Sequence, residues 1–143
     1  MELVVKTFEK LNIHELYEVL RVRAAVFVVE QDCVYQDLDG IDPNAVHAFL
    51  QNENGVQAYL RVFEKDAHTA QMGRMLTVER GVGLGGQLLK EGIRIARDVL
   101  KKDALYIEAQ CYATGFYERE GFKITSEEFL EDGIPHVQTM LEF

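Results

Sequence analysis

Hydrophobic residues along this chain recur with two spacings, one suited to strands and one to helices. Glu2 to Leu11, ELVVKTFEKL, opens as a β-rich run and reads as a strand, and Asn12 after it is a helix N-cap. IHELYEVLRVRAAVFVVEQ then repeats with a helical period. At about 100° per residue, Ile13, Leu16, Val19, Leu20, Val22, Val26 and Phe27 share one arc, which predicts an inward-facing helix over 13–31. Arg23 falls near the middle of that arc, where a charge needs a partner. Asp37, Asp39 and Asp42 are its candidates. VHAFLQ, NENG and VQAYLRVFE read as a hairpin around a glycine-containing turn, with AQMGRMLTV as a further strand. Leu84, Leu88, Leu89, Ile93, Ala96, Val99 and Leu100 then form the stripe of a second helix. ALYIEAQ is the next strand, and ATGFYERE is a short helix stopped by Gly121. FKITSEEFL and PHVQTMLEF close the chain as two strands around EDGI. Strands interleaved with helices in this order predict a mixed α/β fold, one domain over 1–143.

RGVGLGGQLL, Arg80 to Leu89, lies between a strand and a helix and fits two anion-binding patterns. Gly81, Gly83 and Gly86 satisfy the dinucleotide pattern G-x-G-x-x-G, and Glu108 follows at about the spacing of a ribose-binding acid. Arg80, Gly83 and Gly85 satisfy R-x-x-G-x-G, an acyl-CoA pattern. The chain after Glu108 is too short for a second nucleotide-binding half and ends in an antiparallel pair. A dinucleotide turn has no use for Arg80, and no Gly-Lys-Ser/Thr is present for a P-loop. An acyl-CoA turn uses every feature: glycines admit a diphosphate, helix N–H groups point at it, and Arg80 adds a charge-assisted contact. In this acyl-CoA turn Gly86 reads as close packing at the helix start; a plain strand-to-helix turn, with the glycines supplying only positive φ, remains the alternative.

Composition narrows the ligand further. The net charge of −9 opposes capture of nucleic acid by a broad basic field, so an anion has to be held by a local device. Cys33 and Cys111 form no C-x-x-C, and His47 and His68 have no ligand-spaced neighbours, so no metal site is expected. No signal-like start and no run of membrane-spanning length is present, which points to a cytoplasmic protein without membrane partners.

Four stretches, in order, resemble the GNAT N-acetyltransferases and their ElaA-like branch: LRVRAAVFVVEQ, RGVGLGGQLL, FYEREGF and EDGIPH. The resemblance implies a mixed, mostly antiparallel twisted sheet of about seven strands, splayed between the fourth and fifth, with about four flanking helices. Acetyl-CoA would lie in the splay as co-substrate, without a metal. By the same resemblance, Met75 to Val78 supply backbone groups to the pantetheine arm, with Leu76, Thr77 and Val78 in contact. Arg80, Gly81, Val82, Gly83, Leu84, Gly85 and Gly86 cradle the pyrophosphate, and Tyr117 sits near the thioester sulfur. The connection between Arg74 and Arg80 is about two residues shorter than is usual in that branch.

The chemistry expected is acetyl transfer to a primary amine, on a small molecule or a peptide, by direct attack. A phenol such as Tyr117 is a suitable acid for the leaving thiolate, while Phe116 beside it reads as the core ring. Glu30 is a candidate general base or ammonium ligand, and Phe27, Gln31 and His136 are candidate acceptor contacts. Two other readings stand beside this one: a regulatory acyl-CoA-binding protein without catalysis, and a small nucleotide-binding module. Homodimers are common among the proteins it resembles.

Overall fold

A computed structural model describes residues 1–143. In chain order its elements are β1 (Glu2–Thr7), α1 (Ile13–Arg23), β2 (Val46–Asn52), β3 (Gly55–Glu64), β4 (Thr69–Thr77), α2 (Leu84–Arg94) and β5 (Ala104–Gln110). α3 (Thr114–Glu118), β6 (Lys123–Ile124), β7 (Phe129–Glu131) and β8 (Ile134–Glu142) complete it. The strands form one sheet in the order β1-β2-β3-β4-β5-β8-β6, with β7 also on β8. Every pairing is antiparallel except β4 with β5.

Helix α1 begins where Asn12 predicts. The Asn12 side chain accepts from the Glu15 N–H at 2.8 Å, and the Glu15 carboxylate accepts from the Asn12 N–H at 3.0 Å. This reciprocal pair satisfies two donors that the first turn would otherwise leave open. The helix runs on past Arg23, but its ladder widens over Ala24–Glu30 into i→i+5 bonds. The N–H groups of Gln31 and Cys33 reach Val26 O and Val28 O at 3.2 and 3.1 Å. Its inward face is Val19, Val22, Arg23 and Val26. Ile13 lies about 120° from Val19 around the helix and is 78% exposed, so the expected arc was drawn too wide on that side.

A similar widening follows α2 over Ile95–Val99, where Leu100 N reaches Ile95 O at 2.9 Å. The wider turn shifts the stripe and leaves Val99 exposed. FKITSEEFL is not one strand. It splits into β6 and β7 because Ser126 to Glu128 loop out between two stretches paired to β8, and the register differs on either side. The sheet therefore has eight strands rather than seven. The Thr125 N–H and the Ser126 hydroxyl still bond to the Gln138 backbone, at 2.9 and 2.8 Å, and hold the loop's start to β8.

Alternation along β2 and β3 divides the core in two. Ala48, Leu50, Ala58, Leu60 and Val62 pack with Leu88, Leu89 and Ile95 on the α2 side. Phe49 and Tyr59 pack with Val19, Val22 and Val26 on the α1 side. Gly92 is required for the first of these layers, since a Cβ there would meet Met72 Sδ at 2.7 Å and Leu60 Cδ2 at 3.1 Å.

Arg23, fully buried, finds two of its three expected partners, Asp37 and Asp42, while Asp39 bonds Arg61 and Arg74 instead. Its Nε and Nη1 donate to Asp37 at 3.1 Å and Asp42 at 2.8 Å, and its Nη2 donates to the Asp37 carbonyl at 3.0 Å. Burial alone would lower the Arg23 pKa, but hydrogen bonding to Asp42 and the nearby acids raise it. The same Asp42 oxygen accepts from Arg61 Nη1 at 2.9 Å. Breaking such a network leaves two buried cations short of a partner. Asp42→Ala is expected to lower unfolding free energy by about 3–5 kcal/mol, read from urea denaturation; a loss under about 1 kcal/mol would mean that Asp37 and Asp39 suffice.

Candidate active site

The parallel ladder between β4 and β5 is short. Only Thr69, Ala70 and Gln71 pair with Ala104, Leu105 and Tyr106, whereas β5 stays paired with β8 along its whole length. Past Gln71 and Tyr106 the sheet parts, and a cleft of about 1120 Å³ opens there.

A β-bulge shapes the β4 side of this gap. The Lys65 N–H donates to Thr69 O and the Val78 N–H to Gln57 O, both at 2.9 Å. Every second residue from each anchor turns its backbone to β3, which gives Gly73 from one side and Leu76 from the other. Two residues, Arg74 and Met75, lie between them where regular alternation has one, and the register shifts accordingly. Arg74 carries the irregularity, with φ at +52°. Thr77 thus faces its backbone into the gap, and the Val78 N–H is used up on Gln57.

Beyond β4 the chain enters the glycine turn. Gly81 and Gly83 have φ of +79° and +81°, conformations that other residues adopt at a cost. Gly83 caps α2 without any side-chain bond, and the first intrahelical bond runs from Gln87 N to Gly83 O at 3.2 Å. The N–H groups of Leu84, Gly85 and Gly86 therefore have no helical partner at the cleft wall. A Cβ at Gly81, Gly83 or Gly86 would meet nothing within 4 Å. This corrects the expectation that Gly86 packs closely: it faces open space, and the closely packed glycine is Gly92. Open glycines and free N–H groups at a helix start fit the diphosphate of an acyl-CoA.

The remaining candidates are placed as follows. Arg80 is exposed, and its Nη2 donates to Glu30 Oε1 at 3.2 Å. The Glu30 carboxylate, itself exposed, is thus shared with the cation at the turn. Val78 and Val82 point outward and are not part of the cleft wall, while Phe27, Gln31 and His136 are. Leu76 is in the wall yet almost wholly buried against the α1-side core.

Tyr117, not Phe116, is the core ring of the pair. It is 8% exposed, edge-on to both Phe116 and Phe122, and its hydroxyl lies 3.8 Å from Met75 Sδ. Phe116 is half-buried and comes within 3.5 Å of the Cβ position at Gly85. Burial raises the Tyr117 pKa well above that of a free phenol, so the group keeps its proton and remains a donor.

Three further residues meet at the opposite wall. His136 Nδ1 lies 2.7 Å from the Ile134 carbonyl, which fixes that nitrogen as the donor, and Nε2 is 3.5 Å from Glu131. Glu108 shares this wall, and burial followed by Glu131 pushes its carboxyl pKa up. Sequence weighed Glu108 only as a ribose acid, and Glu131 only as part of EDGIPH. Their meeting depends on the β5–β8 register, which pairs Gln110 with His136, and on the turn that folds β7 onto β8. Arg74 was likewise noted only for its spacing to Arg80.

The family model for the acetyltransferase (GNAT) domain matches residues 17–143. The chain belongs to the GNAT acetyltransferase family. Protein ElaA of Escherichia coli is 34% identical over 134 residues, 90% of this chain and 88% of ElaA, and its crystal structure superposes with a TM-score of 0.92 over 99% of both chains. A UPF0039 protein of Schizosaccharomyces pombe is 37% identical over 146 residues, 99% of this chain and 97% of that one. The crystal structure of an acyl-CoA N-acyltransferase from Pseudomonas aeruginosa matches with a TM-score of 0.91 at 31% identity, over 98% and 99% of the two chains. The eight-stranded sheet split between β4 and β5 is thus the GNAT fold in this chain.

The cradle of this GNAT protein is directly testable. Gly83→Asp places a carboxylate in the open turn at a φ that aspartate tolerates better than most residues. CoA affinity measured by calorimetry is expected to drop at least about 100-fold, given the charge-assisted contacts replaced by repulsion. Unchanged affinity would place the pyrophosphate elsewhere.

Proposed function

We propose that this GNAT protein transfers the acetyl group of acetyl-CoA to a primary amine by direct attack of the amine. One observation carries the reading: the glycine turn and an acid-lined wall open onto the same cleft. Gly83, Gly85 and Gly86 line it from the start of α2, and Glu108, Glu131 and His136 line it from β5, β7 and β8.

Each set of residues has a physical role in this reaction. The turn offers N–H donors and Arg80 to a diphosphate, with Glu30 holding the arginine until a stronger anion arrives. Thr77 offers backbone groups to the amide-containing arm. Acetyl-CoA, when bound, supplies an activated acetyl thioester. Tyr117 lines the cleft with its hydroxyl on Met75 Sδ, and burial keeps it protonated, so it would have to turn from the sulfur to meet the leaving thiolate. Glu108 and Glu131 favour a cation at their wall, which suits an amine arriving as ammonium. Glu108, half-buried with a raised pKa, is placed to take up the ammonium proton so that a neutral nitrogen attacks. This gives Glu108 the role that the sequence suggested for Glu30.

The test is a panel of primary amines, small molecules and peptides, assayed for thiol released from acetyl-CoA. Cationic amines are expected to turn over and acidic ones not. Tyr117→Phe is expected to lower kcat by about 10–100-fold with CoA affinity preserved, the range of a lost general acid. Tight CoA binding without turnover on any amine would favour a regulatory acyl-CoA-binding protein instead.

A further inference from the structure

The segment between the widened helix end and β2 is joined to β4 by one residue, Arg74. Arg74 Nε donates to Asp37 Oδ1 at 2.8 Å, and its Nη2 donates to Asp37 O and Asp39 Oδ2, both at 3.2 Å. The guanidinium lies 5.1 Å from the centroid of the Tyr35 ring, and the Tyr35 hydroxyl donates to the same Asp37 oxygen at 2.6 Å. Asp37 and Asp39 are themselves fixed from behind. Arg23 holds Asp37 Oδ2 at 3.1 Å, and Arg61 holds Asp39 through both of its terminal nitrogens. Asp39 is kept ionised despite its partial burial, its carboxyl pulled down to about 2 by Arg61, the Ile41 N–H and Arg74. The clasp is therefore rigid on the loop side and grips a single side chain on the strand side.

What it grips is a residue in an unfavourable backbone state. Arg74 has φ of +52° although it is neither glycine, asparagine nor aspartate. That conformation is the bulge of β4. Were β4 regular past Gly73, alternation would turn the backbone of Leu76 rather than Thr77 to the gap. The side chains would change faces as well, moving Leu76 out of the α1-side core where it is buried.

We propose that Asp37 and Asp39 are positioning residues for the acyl-CoA site: through Arg74 they hold the β4 bulge that decides which backbone groups line the gap. Asp37 stands behind the cleft wall, whereas Asp39 is also part of it. The inference rests on the acyl-CoA reading above and adds to it the loop that keeps the binding edge in register. It also assigns a purpose to the strain at Arg74, which a purely structural ion pair would not need.

Glycine separates the two roles of Arg74. Arg74→Gly and Arg74→Ala lose the same ion pairs, but only glycine adopts positive φ freely. Dissociation constants for acetyl-CoA are measured by calorimetry for wild type, Arg74→Ala, Arg74→Gly, Asp37→Ala and Asp37→Ala with Arg74→Gly, alongside their thermal midpoints. Arg74→Ala and Asp37→Ala are expected to weaken acetyl-CoA binding about tenfold, the cost of a left-handed residue no longer held. Arg74→Gly is expected within about threefold of wild type, and Asp37→Ala is expected to cost nothing further in that background. Equal losses in Arg74→Ala and Arg74→Gly, tracking their thermal midpoints, would overturn the proposal and reduce the clasp to a staple. Wild-type binding at both alanine variants would overturn it too. If wild type itself binds no acetyl-CoA, the acyl-CoA reading fails first and this inference falls with it.

Discussion

The architecture turns on the brevity of one parallel ladder. β5 pairs with β8 along its entire length but with β4 over its first three residues only, which leaves one of its edges open past Tyr106. Three residue pairs hold the halves together, and everything past them is gap. A strand edge so exposed is normally a hazard, because its free N–H and C=O groups invite another chain. Here the edge lies inside a cleft, bordered by α2's first turn on one side and by β7, β8 and the end of the widened helix on the other. An extended, amide-containing ligand is the natural occupant of such an edge, and that is the shape of a pantetheine arm.

Holding the gap open requires rigidity behind it, and the α1 side supplies this with charge rather than with apolar packing alone. Arg23 and Arg61 are buried on the face where Val19, Val22, Phe49 and Tyr59 also pack. Burying ions is costly unless their hydrogen bonds are nearly complete. Asp37, Asp39 and Asp42 come close to completing them, leaving only Arg61 Nε without a partner. His47 adds a neutral link: Nε2 donates to the Asp42 carbonyl at 3.0 Å and Nδ1 accepts from the Tyr59 hydroxyl at 2.7 Å. Unlike a greasy contact, such a network admits one geometry, which is what a loop controlling a strand's register needs.

The fold was largely legible because its signals are local. The Asn12–Glu15 cap, the stripe of Leu88, Leu89 and Ala96, and the alternation of β2 and β3 are all set within a few residues. Arg23 inside an apolar arc announced a buried ion pair, and two of the three acids nearby in sequence, Asp37 and Asp42, are its partners. Legibility failed where long-range geometry decides. Nothing local distinguishes FKITSEEFL as one strand from two, since the split arises from its pairing to β8. Gly86 and Gly92 are both glycines on one helix, and only the positions of Met72 and Leu60 show which one is needed for packing. The acceptor wall was hidden for the same reason: Glu108, Glu131 and His136 belong to three different strands or turns. The bulge at Arg74 was hidden too, because a positive φ leaves no mark in sequence when the residue is an arginine.

If the proposed acyl-CoA reading holds, a chain with a net charge of −9 has to serve a polyanion at its cleft. The field of the whole protein opposes such a ligand, so attraction must come from groups within a few ångströms, where screening is weakest. Backbone N–H groups at the start of α2 carry no counter-charge to be stripped away, and the glycines let a phosphate reach them. Arg80 is different, since its charge is already engaged by Glu30 across the mouth of the cleft. Both side chains are more than half exposed, so the pair itself contributes little and separates at little cost. A diphosphate can take the arginine without breaking anything the fold depends on, and Glu30 is then released as one more negative charge beside the cleft. The same acidic excess that disfavours the anion in general favours a cation at the Glu108 wall. Under the proposed reading, an anionic donor and a cationic acceptor would each meet the groups of opposite sign that line this one cleft where β4 and β5 part.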